Sequence, residues 1–378
     1  MHSRHATLLA LRASVADAAP CGELYAALIQ HLDAQIQEID VAKAGPSLQK
    51  IITDAHANLA ATSLYCWRRL HTDASILSAL ASPPLESVAA LDTAIIVSGA
   101  AGEGRLDLIL DIIQQTQAEH LSHVPITQNA TSFVPVDPPA IPEDAIVIPS
   151  LAAPPSLAAF QSRHHDAPFI LRGFARDWPA LNEHPWASTA YLRSVAGPGR
   201  VVPVEIGRDY RTEDWSQKIM TWDAFLDSLD ANDAQPLYLA QHSLFMQFPA
   251  LREDIEVPDY VYADLPRPPG CPPPQNDEQL VINAWLGPKG TVSPAHTDPY
   301  FNFYVQIGGR KTVWMAPPNC AAELHATGNT AGVDVFGGVR IDSGLMASLG
   351  PGDVLYMPAG WWHAMHAESC SFSLSIWF

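Results

Sequence analysis

Two histidines and one aspartate carry the clearest chemistry in this sequence. His296 and Asp298 stand two positions apart, and His363 ends the segment Tyr-Met-Pro-Ala-Gly-Trp-Trp-His further along the chain. In an extended segment, side chains two positions apart project from the same face, so His296 and Asp298 could bind one ion together. Two imidazoles and one carboxylate are the ligands of non-haem Fe(II) sites, which keep coordination positions open. The pattern therefore predicts a catalytic iron site formed by these three residues.

Zinc is the alternative metal for such a ligand set. Catalytic zinc also binds His and carboxylate ligands, but it usually keeps only one open position. Structural zinc is not indicated, because no two cysteines have the Cys-x-x-Cys spacing. The cysteines, scattered and odd in number, are Cys21, Cys66, Cys271, Cys320 and Cys370. This scatter favours a reducing compartment, so we expect an intracellular protein, nuclear or cytoplasmic or both.

The part of the chain that must position these ligands consists of short β-like runs between Gly and Pro turn signals. The predicted strands are Phe169–Arg172, Val201–Ile206, Leu237–Ala240, Val281–Trp285, Phe301–Ile307, Lys311–Met315, Val354–Met357 and Ser371–Trp377. Short strands at this density predict a jelly roll, in which strands distant in sequence surround one interior. His363 would then reach His296 and Asp298 from a different strand.

Two of the predicted strands alternate polar and apolar residues. The polar positions are Asn302, Tyr304 and Gln306 in one strand, and Ser371, Ser373, Ser375 and Trp377 in the other. A polar face that points into a barrel lines a site, whereas one that points outward only meets solvent. Because the iron motif is close by, we expect these faces to line a pocket.

Three segments make up the predicted domain organisation, and together they give an α+β chain. Residues 1–123 have Leu, Ala and Ile at spacings of three and four, which predicts a helical N-terminal domain. Residues 124–155 are rich in proline, through which a helix cannot persist, so we interpret them as a linker. Residues 156–378 form the strand-rich domain.

Composition limits the classes of partner. The formal net charge of this chain of 378 residues is −19, and no basic stripe is present to neutralise phosphates. We therefore expect no direct nucleic-acid binding. A basic protein or peptide containing Arg or Lys suits the charge better, because a negative surface would steer its approach. No apolar run is long enough to span a membrane.

From residue 157 to residue 378 the sequence resembles JmjC-domain oxygenases, in particular the group of lysine demethylase eight or JmjC-domain protein five. The segments that carry the resemblance are Pro168–Phe174, Val202–Glu205, Trp215–Gln217, Tyr238–His242, Ile282–Trp285, Ser293–Asp298, Gly309–Lys311 and Ser371–Trp377. The helical region before them resembles the same group only loosely.

The resemblance implies a double-stranded β-helix, a cupin-like jelly roll with flanking helices, that binds Fe(II) and 2-oxoglutarate and uses O2 to hydroxylate a protein side chain. His296, Asp298 and His363 fall on the metal ligands of that group. Five further residues fall on its cosubstrate pocket: Tyr238, Ser293, Asn302, Lys311 and Trp377. Glu205 and Trp215 fall where the group holds a target arginine.

These assignments make chemical sense to different degrees. The distal carboxylate of 2-oxoglutarate needs a cation, which Lys311 could supply, although spacing alone cannot choose between Lys311 and its neighbour Arg310. The carboxylate of Glu205 could bind a guanidinium through two parallel hydrogen bonds, and Trp215 could stack on it. The alternative for Glu205 is an outward-facing carboxylate on a half-exposed strand.

We interpret the chain as an Fe(II)- and 2-oxoglutarate-dependent dioxygenase that hydroxylates an arginyl side chain at carbon. The closest alternative is a histone N-methyl-lysine demethylase with the same iron chemistry. A second alternative is a non-catalytic binding module in which the helical domain binds the partner. Candidate partners are basic histone, ribosomal or chromatin-associated proteins.

Overall fold

A computed structural model describes residues 4–15, 23–38, 47–62, 64–126, 133, 136–207, 209, 211, 215–230 and 235–378. Its contacts divide the chain into two compact units. The helical unit comprises Met1–Ile126, Ala196–Val202 and Ile219–Trp222, and the strand unit comprises Thr127–Val195, Pro203–Lys218 and Asp223–Phe378. Two short segments from the strand-rich sequence belong to the helical unit, and most of the predicted linker belongs to the strand unit.

The described residues of the helical unit contain six helices, in agreement with the helical character that the periodicity of residues 1–123 predicts. They are α1 (Arg4–Val15), α2 (Glu23–Ile36), α3 (Leu48–Ala61), α4 (Tyr65–Ala79), α5 (Pro84–Ser98) and α6 (Arg105–His120). Helix α5 has proline in its first turn and ends at Gly99, whose φ of 65° is the left-handed conformation that glycine adopts most easily. None of the helices that the structure describes is both long enough and apolar enough to cross a bilayer.

Buried ion pairs tie the helical unit together. The carboxylate of Asp73 on α4 accepts hydrogen bonds from Arg69 Nε at 2.8 Å and from Arg105 Nε at 2.6 Å. The Asp92 carboxylate on α5 accepts two bonds from the Arg200 guanidinium, at 2.8 and 2.7 Å. Both aspartates are almost fully buried. Loss of Arg200 would leave the buried charge of Asp92 without this compensation, whereas loss of Arg69 or Arg105 would leave Asp73 with one arginine partner instead of two.

One cysteine, Cys66, does not have the free thiol that a reducing compartment would favour. Cys66, on α4, is disulfide-bonded, whereas Cys271, Cys320 and Cys370 are free thiols. Scattered spacing in the sequence gave no indication of this bond. Its presence weakens the argument for a reducing compartment, so the intracellular location stays a prediction.

The strand-rich part of the chain contains short strands and a few short helices. The strands are β1 (Ile146–Val147), β2 (Ser150–Leu151), β3 (Phe169–Leu171), β4 (Val201–Ile206), β5 (Ser216–Thr221), β6 (Leu237–His242), β7 (Val281–Gly287), β8 (Val292–Thr297), β9 (Asn302–Gly308), β10 (Lys311–Ala316), β11 (Leu345–Leu349), β12 (Val354–Met357), β13 (Trp362–Ala367) and β14 (Ser371–Trp377). The helices are α7 (Leu157–Ala159), α8 (Thr189–Ala196), α9 (Trp222–Ser228) and α10 (Leu244–Gln247).

The strands form two sheets that enclose one core. The smaller sheet has the order β1-β11-β10-β13-β8, and the larger has the order β2-β3-β12-β9-β14-β7-β6-β4-β5. Apolar side chains from both sheets meet in one buried cluster, for example Val313 and Met315 of β10 with Ile170 of β3 and Leu355 of β12. Several neighbouring strands are distant in sequence, for example β14 beside β7, β12 beside β3 and β13 beside β8. The predicted jelly roll and the α+β class are therefore confirmed.

Sequence patterns missed several strands. Strands β1 and β2 lie inside the predicted linker and pair in parallel with β11 and β3. Segments of two residues show no periodicity, so only tertiary pairing defines them. Strands β5, β8, β11 and β13 were also absent from the predicted strands. Two of these, β8 and β13, carry the histidines of the predicted metal site, and their polar residues obscure the alternation typical of strands.

Candidate metal centre and anion pocket

The predicted metal ligands come together on two neighbouring strands of the smaller sheet. Strands β8 and β13 are antiparallel, and His296 lies directly opposite His363 in their register. Cross-strand partners in such a pair have adjacent side chains, which explains why the two ring centroids lie only 4.3 Å apart. Asp298 follows immediately after β8. Its carboxylate lies 3.9 Å from His296 Nε2 and 3.5 Å from His363 Nε2.

Backbone carbonyls fix the orientation of both imidazoles. His296 Nδ1 lies 2.7 Å from the Pro294 carbonyl oxygen, and His363 Nδ1 lies 3.2 Å from the Trp361 carbonyl oxygen. A carbonyl oxygen can only accept, so each Nδ1 carries the proton. In the neutral rings, both Nε2 lone pairs are therefore free for a metal. A hydrogen bond from the ring nitrogen that does not bind the metal is the usual way in which a protein orients a histidine ligand.

Burial also determines the charge of the two imidazoles. Burial and the neighbouring His363 lower the pKa of His296 to about 4, so this ring is neutral at physiological pH. Burial alone would lower the pKa of His363 as well, but the hydrogen bond and charge of Asp298 outweigh it and raise that pKa. The same contacts with His363 hold the pKa of Asp298 below its usual value despite burial. The site thus pairs a carboxylate with one neutral imidazole, His296, and with a second imidazole, His363, whose protonated form the carboxylate stabilises.

The donor set fits a divalent transition metal. One ligand atom from each of His296, Asp298 and His363 lies within 4.8 Å of the other two. Two nitrogens and one carboxylate oxygen on one side of an ion are typical of non-haem Fe(II) sites that keep positions open for other ligands. The remaining side faces a cavity, so those positions would be accessible to small molecules.

This cavity extends from the triad into the space between the sheets. It holds about 290 Å³ of empty space, part of which is open to solvent. Besides the triad, its lining residues are Trp285, Ser293, Asn302, Tyr304, Met357, Met365, Ser375 and Trp377. Three of the predicted cosubstrate residues, Ser293, Asn302 and Trp377, therefore line the same cavity as the metal ligands. The polar face predicted for β9 does point inward.

Lys311 and Tyr238 do not line the cavity directly. Lys311 contacts the lining residue Tyr304, and Tyr238 has a hydrogen bond with the lining residue Ser293. The Lys311 ammonium donates hydrogen bonds to Tyr304 Oη at 2.9 Å and to Tyr238 Oη at 3.1 Å. Lys311 is only 1% exposed, and it forms no ion pair with any residue that the structure describes. Burial lowers its pKa to about 7. A buried cluster of one amine and two phenols without a carboxylate is rich in donors, so it is suited to bind an anion.

Two glycines allow this cluster to form. Gly309, in the turn between β9 and β10, has a φ of 68°, and a Cβ there would lie 1.9 Å from the Cys370 carbonyl oxygen. The turn directs Lys311 inward, whereas Arg310 bonds to the Val136 carbonyl and the Ser348 hydroxyl instead. Gly287 gives space to the ring of Tyr238, since a Cβ there would lie 2.6 Å from Tyr238 Cδ2. Tertiary structure thus favours Lys311 over Arg310.

The residues predicted to bind a target arginine lie beside the pocket rather than in its lining. Glu205 on β4 is the register partner of Tyr238 on β6. Burial raises the pKa of Glu205, and the side chains of Trp215 and Gln217 beside it partly offset that rise. Neither Glu205 nor Trp215 belongs to the described residues that line the cavity. Their role in substrate binding therefore stays a prediction.

Sequence reasoning gave no role to three residues that the structure places in the pocket wall, namely Trp285, Met357 and Met365, and it did not predict the contact of Tyr304 with Lys311. Trp285 donates its indole N–H to the Ser375 hydroxyl at 3.1 Å and packs against Tyr238. Tyr304 forms the contact between the cavity and Lys311. The inward polar face of β9 did include Tyr304, but nothing in the sequence pointed to its contact with Lys311, because the two lie on different sheets.

The fold is a jelly roll, and its candidate metal centre has two histidine nitrogens and one carboxylate oxygen as ligands. A family model described as a cupin-like domain matches residues 158–378, more than half of the chain, so the chain belongs to the cupin-like domain family. It is 40% identical over 240 residues to Lysine-specific demethylase 8 of Danio rerio, which covers 59% of this chain and 56% of that relative. It is 39% identical over 253 residues to Jumonji C domain-containing protein 5 of Drosophila melanogaster, which covers 61% of this chain and 59% of that relative.

These relatives confirm the resemblance on which the sequence analysis relied. The chain spans a little more than half of the length of each of the two. Among solved structures, the X-ray structure of E. coli ycfD matches with a TM-score of 0.38 and 19% identity, and the match covers 60% of this chain and 53% of that one. Such a low TM-score adds nothing to the family assignment.

Proposed function

We propose that the chain is an Fe(II)- and 2-oxoglutarate-dependent dioxygenase that hydroxylates a protein side chain, with O2 as the second cosubstrate. One observation carries the proposal. The metal-binding triad and Tyr304, which is bonded to the buried Lys311, line the same cavity. A 2-oxoglutarate molecule has a keto acid that chelates a metal at one end and a second carboxylate at the other. The cavity offers a suitable partner for each end.

Each residue of the site has a defined task in this proposal. His296, Asp298 and His363 would hold the metal, which together with 2-oxoglutarate and O2 would supply the oxidation of a substrate C–H bond, with succinate and CO2 as the other products. Lys311 and the two tyrosines provide positive charge and donors for the distal carboxylate. Ser293, Asn302 and Trp377 are the other cosubstrate-binding residues, and the indole N–H of Trp377 is buried without a partner among the described residues.

The proposed target is an arginyl side chain, hydroxylated at carbon. Glu205 and Trp215 support this choice, since a partly buried carboxylate next to an indole suits the planar guanidinium group. The negative net charge of the chain favours a basic protein or peptide as the partner. A histone, ribosomal or chromatin-associated protein in the nucleus or cytoplasm would meet this requirement.

Demethylation of N-methyl-lysine is the second candidate, and the names of the relatives favour it. Two of them, from Danio rerio and Xenopus tropicalis, are named Lysine-specific demethylase 8. The same metal chemistry would apply to the methyl carbon, followed by loss of formaldehyde. A methylammonium group needs a cage of aromatic or polar groups, whereas Glu205 with Trp215 suits a guanidinium better.

Mass spectrometry of peptide substrates separates these functions. The protein, loaded with iron and 2-oxoglutarate, is incubated with a library of basic peptides, half of them carrying methyl-lysine. Addition of one oxygen atom to arginine supports the hydroxylase, and loss of a methyl group supports the demethylase. Absence of any 2-oxoglutarate turnover, coupled or uncoupled, would exclude both.

Two variants complete the test. Glu205→Gln removes the charge that would hold a guanidinium. We expect kcat/KM for the arginine substrate to fall by an amount equivalent to about 2 kcal/mol or more, while uncoupled 2-oxoglutarate turnover persists. His296→Ala should abolish all turnover. If His296→Ala retained full activity in cells, a non-catalytic binding module would be the better description of the chain.

A further inference from the structure

We propose that the helical unit carries a docking groove for a basic amphipathic helix of a partner protein. The groove runs along α6 and opens between α6 and α1, and we call it the α1–α6 groove. All of its lining residues belong to the helical unit, and none of them lines the metal-centre cavity. The proposal therefore goes beyond the proposed oxygenase function and does not depend on it.

Two cavities make up the α1–α6 groove. One holds about 1400 Å³ and the other about 1070 Å³ of empty space, part of which is open to solvent in each case. They are continuous, because they share Thr7 on α1 and Ile112, Gln115 and Glu119 on α6. Helix α6 has 16 residues and is about 24 Å long at 1.5 Å per residue. A partner helix of about four turns could lie along it.

The floor of the groove is apolar. Helix α6 buries Ile109 and Ile113 inside the helical unit. Leu108 and Ile112 also stand four residues apart and so share one face of α6, but they line the groove and are only half-buried. Ala10 lines the same groove from α1. A row of apolar side chains four residues apart in a groove is what an amphipathic helix covers with its own apolar face.

The rim of the groove is acidic. Glu103, Asp107, Asp111 and Glu119 all line the larger cavity, and all four are exposed. The first three form no ion pair with any residue that the structure describes. Arg105, the cation among the lining residues of this cavity, is buried and already paired with a carboxylate of the helical unit. The rim therefore offers negative charge that the fold itself leaves uncompensated.

This charge decides between the possible occupants. A second copy of the chain would bring the same acidic rim and the same net charge of −19, and the phosphates of nucleic acid or of an anionic membrane would also be repelled. A helix with lysine or arginine beside its apolar face complements both the floor and the rim. Arg4 and His120 line the opposite end of the groove, so the basic positions should lie toward Glu103.

Binding of synthetic helices to the full chain tests the proposal by fluorescence anisotropy. The probe is a labelled peptide of about 18 residues of leucine and lysine, with leucine at every third or fourth position so that one face is apolar. One comparison peptide has the same composition with its leucines scattered around the helix, and another has glutamate in place of lysine. We expect the probe to bind about tenfold or more tightly than either comparison peptide, and its affinity to fall as salt is added.

Two sets of substitutions locate the binding surface. Asp107→Lys combined with Asp111→Lys turns attraction at two exposed positions into repulsion, and we expect the probe to bind about tenfold more weakly. Ile112→Ser removes part of the apolar floor and should weaken binding by a similar factor of about tenfold. The matched control is Asp277→Lys combined with Glu278→Lys, which makes the same change in net charge at two exposed acids that do not line the groove. It should leave the affinity for the probe unchanged.

Three results would overturn the proposal. They are no binding of the probe to the wild-type chain, equal binding of the scattered-leucine or glutamate peptide, and equal weakening by the rim and control substitutions. Circular dichroism of each variant should match that of the wild-type chain, which shows that the helical unit remains folded. Turnover of 2-oxoglutarate should be the same in all variants, so failure of the docking proposal and failure of the proposed function are read separately.

Discussion

His296 and His363 lie directly opposite each other on antiparallel strands, although a long stretch of sequence separates them. Their Nε2 atoms both approach the carboxylate of Asp298, and their Nδ1 atoms both donate to backbone carbonyls two residues earlier. The two rings are therefore oriented before any ligand arrives. This arrangement gives the first of four predictions for the chain, which concerns metal binding.

Replacing the carboxylate of the triad should abolish metal binding. In Asp298→Asn, the neutral amide is a weaker ligand and no longer balances the charge of the cation, so we expect Mn(II) affinity to fall by more than about a hundredfold, beyond the usual effect of a residue that only orients a ligand. Electron paramagnetic resonance of free Mn(II) measures this. His366→Ala is the control, because His366 is on the same strand but bonds to Glu368 instead. Stoichiometric binding by Asp298→Asn would refute the assignment.

Lys311 should make the stability of the ligand-free protein depend on pH. Burial lowers its pKa in the folded protein to about 7 from 10.5, and unfolding restores the higher value. The unfolded chain therefore binds more protons between these two values, so the free energy of unfolding rises with pH across that window and is lowest below it. Lys311→Met should remove this rise in urea unfolding curves. The exposed Lys289→Met is the control, and an unchanged pH slope in Lys311→Met would contradict the expectation.

Binding of 2-oxoglutarate should take up a proton. At about pH 8 the Lys311 amine is mostly neutral, and an anion beside it favours the charged form and raises its pKa. The heat of binding should then depend on the ionisation enthalpy of the buffer, as measured by titration calorimetry in two buffers. This dependence should disappear in Lys311→Met. Heats that are the same in both buffers for the wild-type chain would show that Lys311 stays neutral.

A buried ion pair should dominate the stability of the helical unit. Asp92 is fully buried and binds the Arg200 guanidinium through both oxygens and the Val201 N–H through one. Asp92→Asn removes the charge that compensates a buried arginine, and we expect a loss of about 3–5 kcal/mol in the free energy of unfolding. Asp54→Asn is the control, because the exposed pair of Asp54 with Lys50 should contribute less than about 1 kcal/mol. Equal losses in urea unfolding would contradict this.

The sequence predicted the metal site more completely than the pocket behind it. His296, Asp298 and His363 were recognisable because ligand chemistry restricts both residue type and spacing, and the structure brings all three together. Lys311 was chosen by resemblance alone, since Arg310 next to it has the same charge. The structure favours Lys311 because the Gly309 turn sets the register of β10.

Some features could not be read from the sequence at all. Strands β1 and β2 exist only because β11 and β3 provide hydrogen-bonding partners. The contact of Tyr304 with Lys311 joins two different sheets, so no local pattern records it.

By itself, then, the sequence determined the fold class, most of the described strands and the three candidate metal ligands, because periodicity and ligand chemistry are local properties. Tertiary structure decided which cation lies behind the pocket wall, which tyrosine stands between that cation and the cavity, and where Glu205 lies relative to both. These relations depend on register and on the packing of one sheet against another, and both are set by contacts between residues that are far apart in the chain.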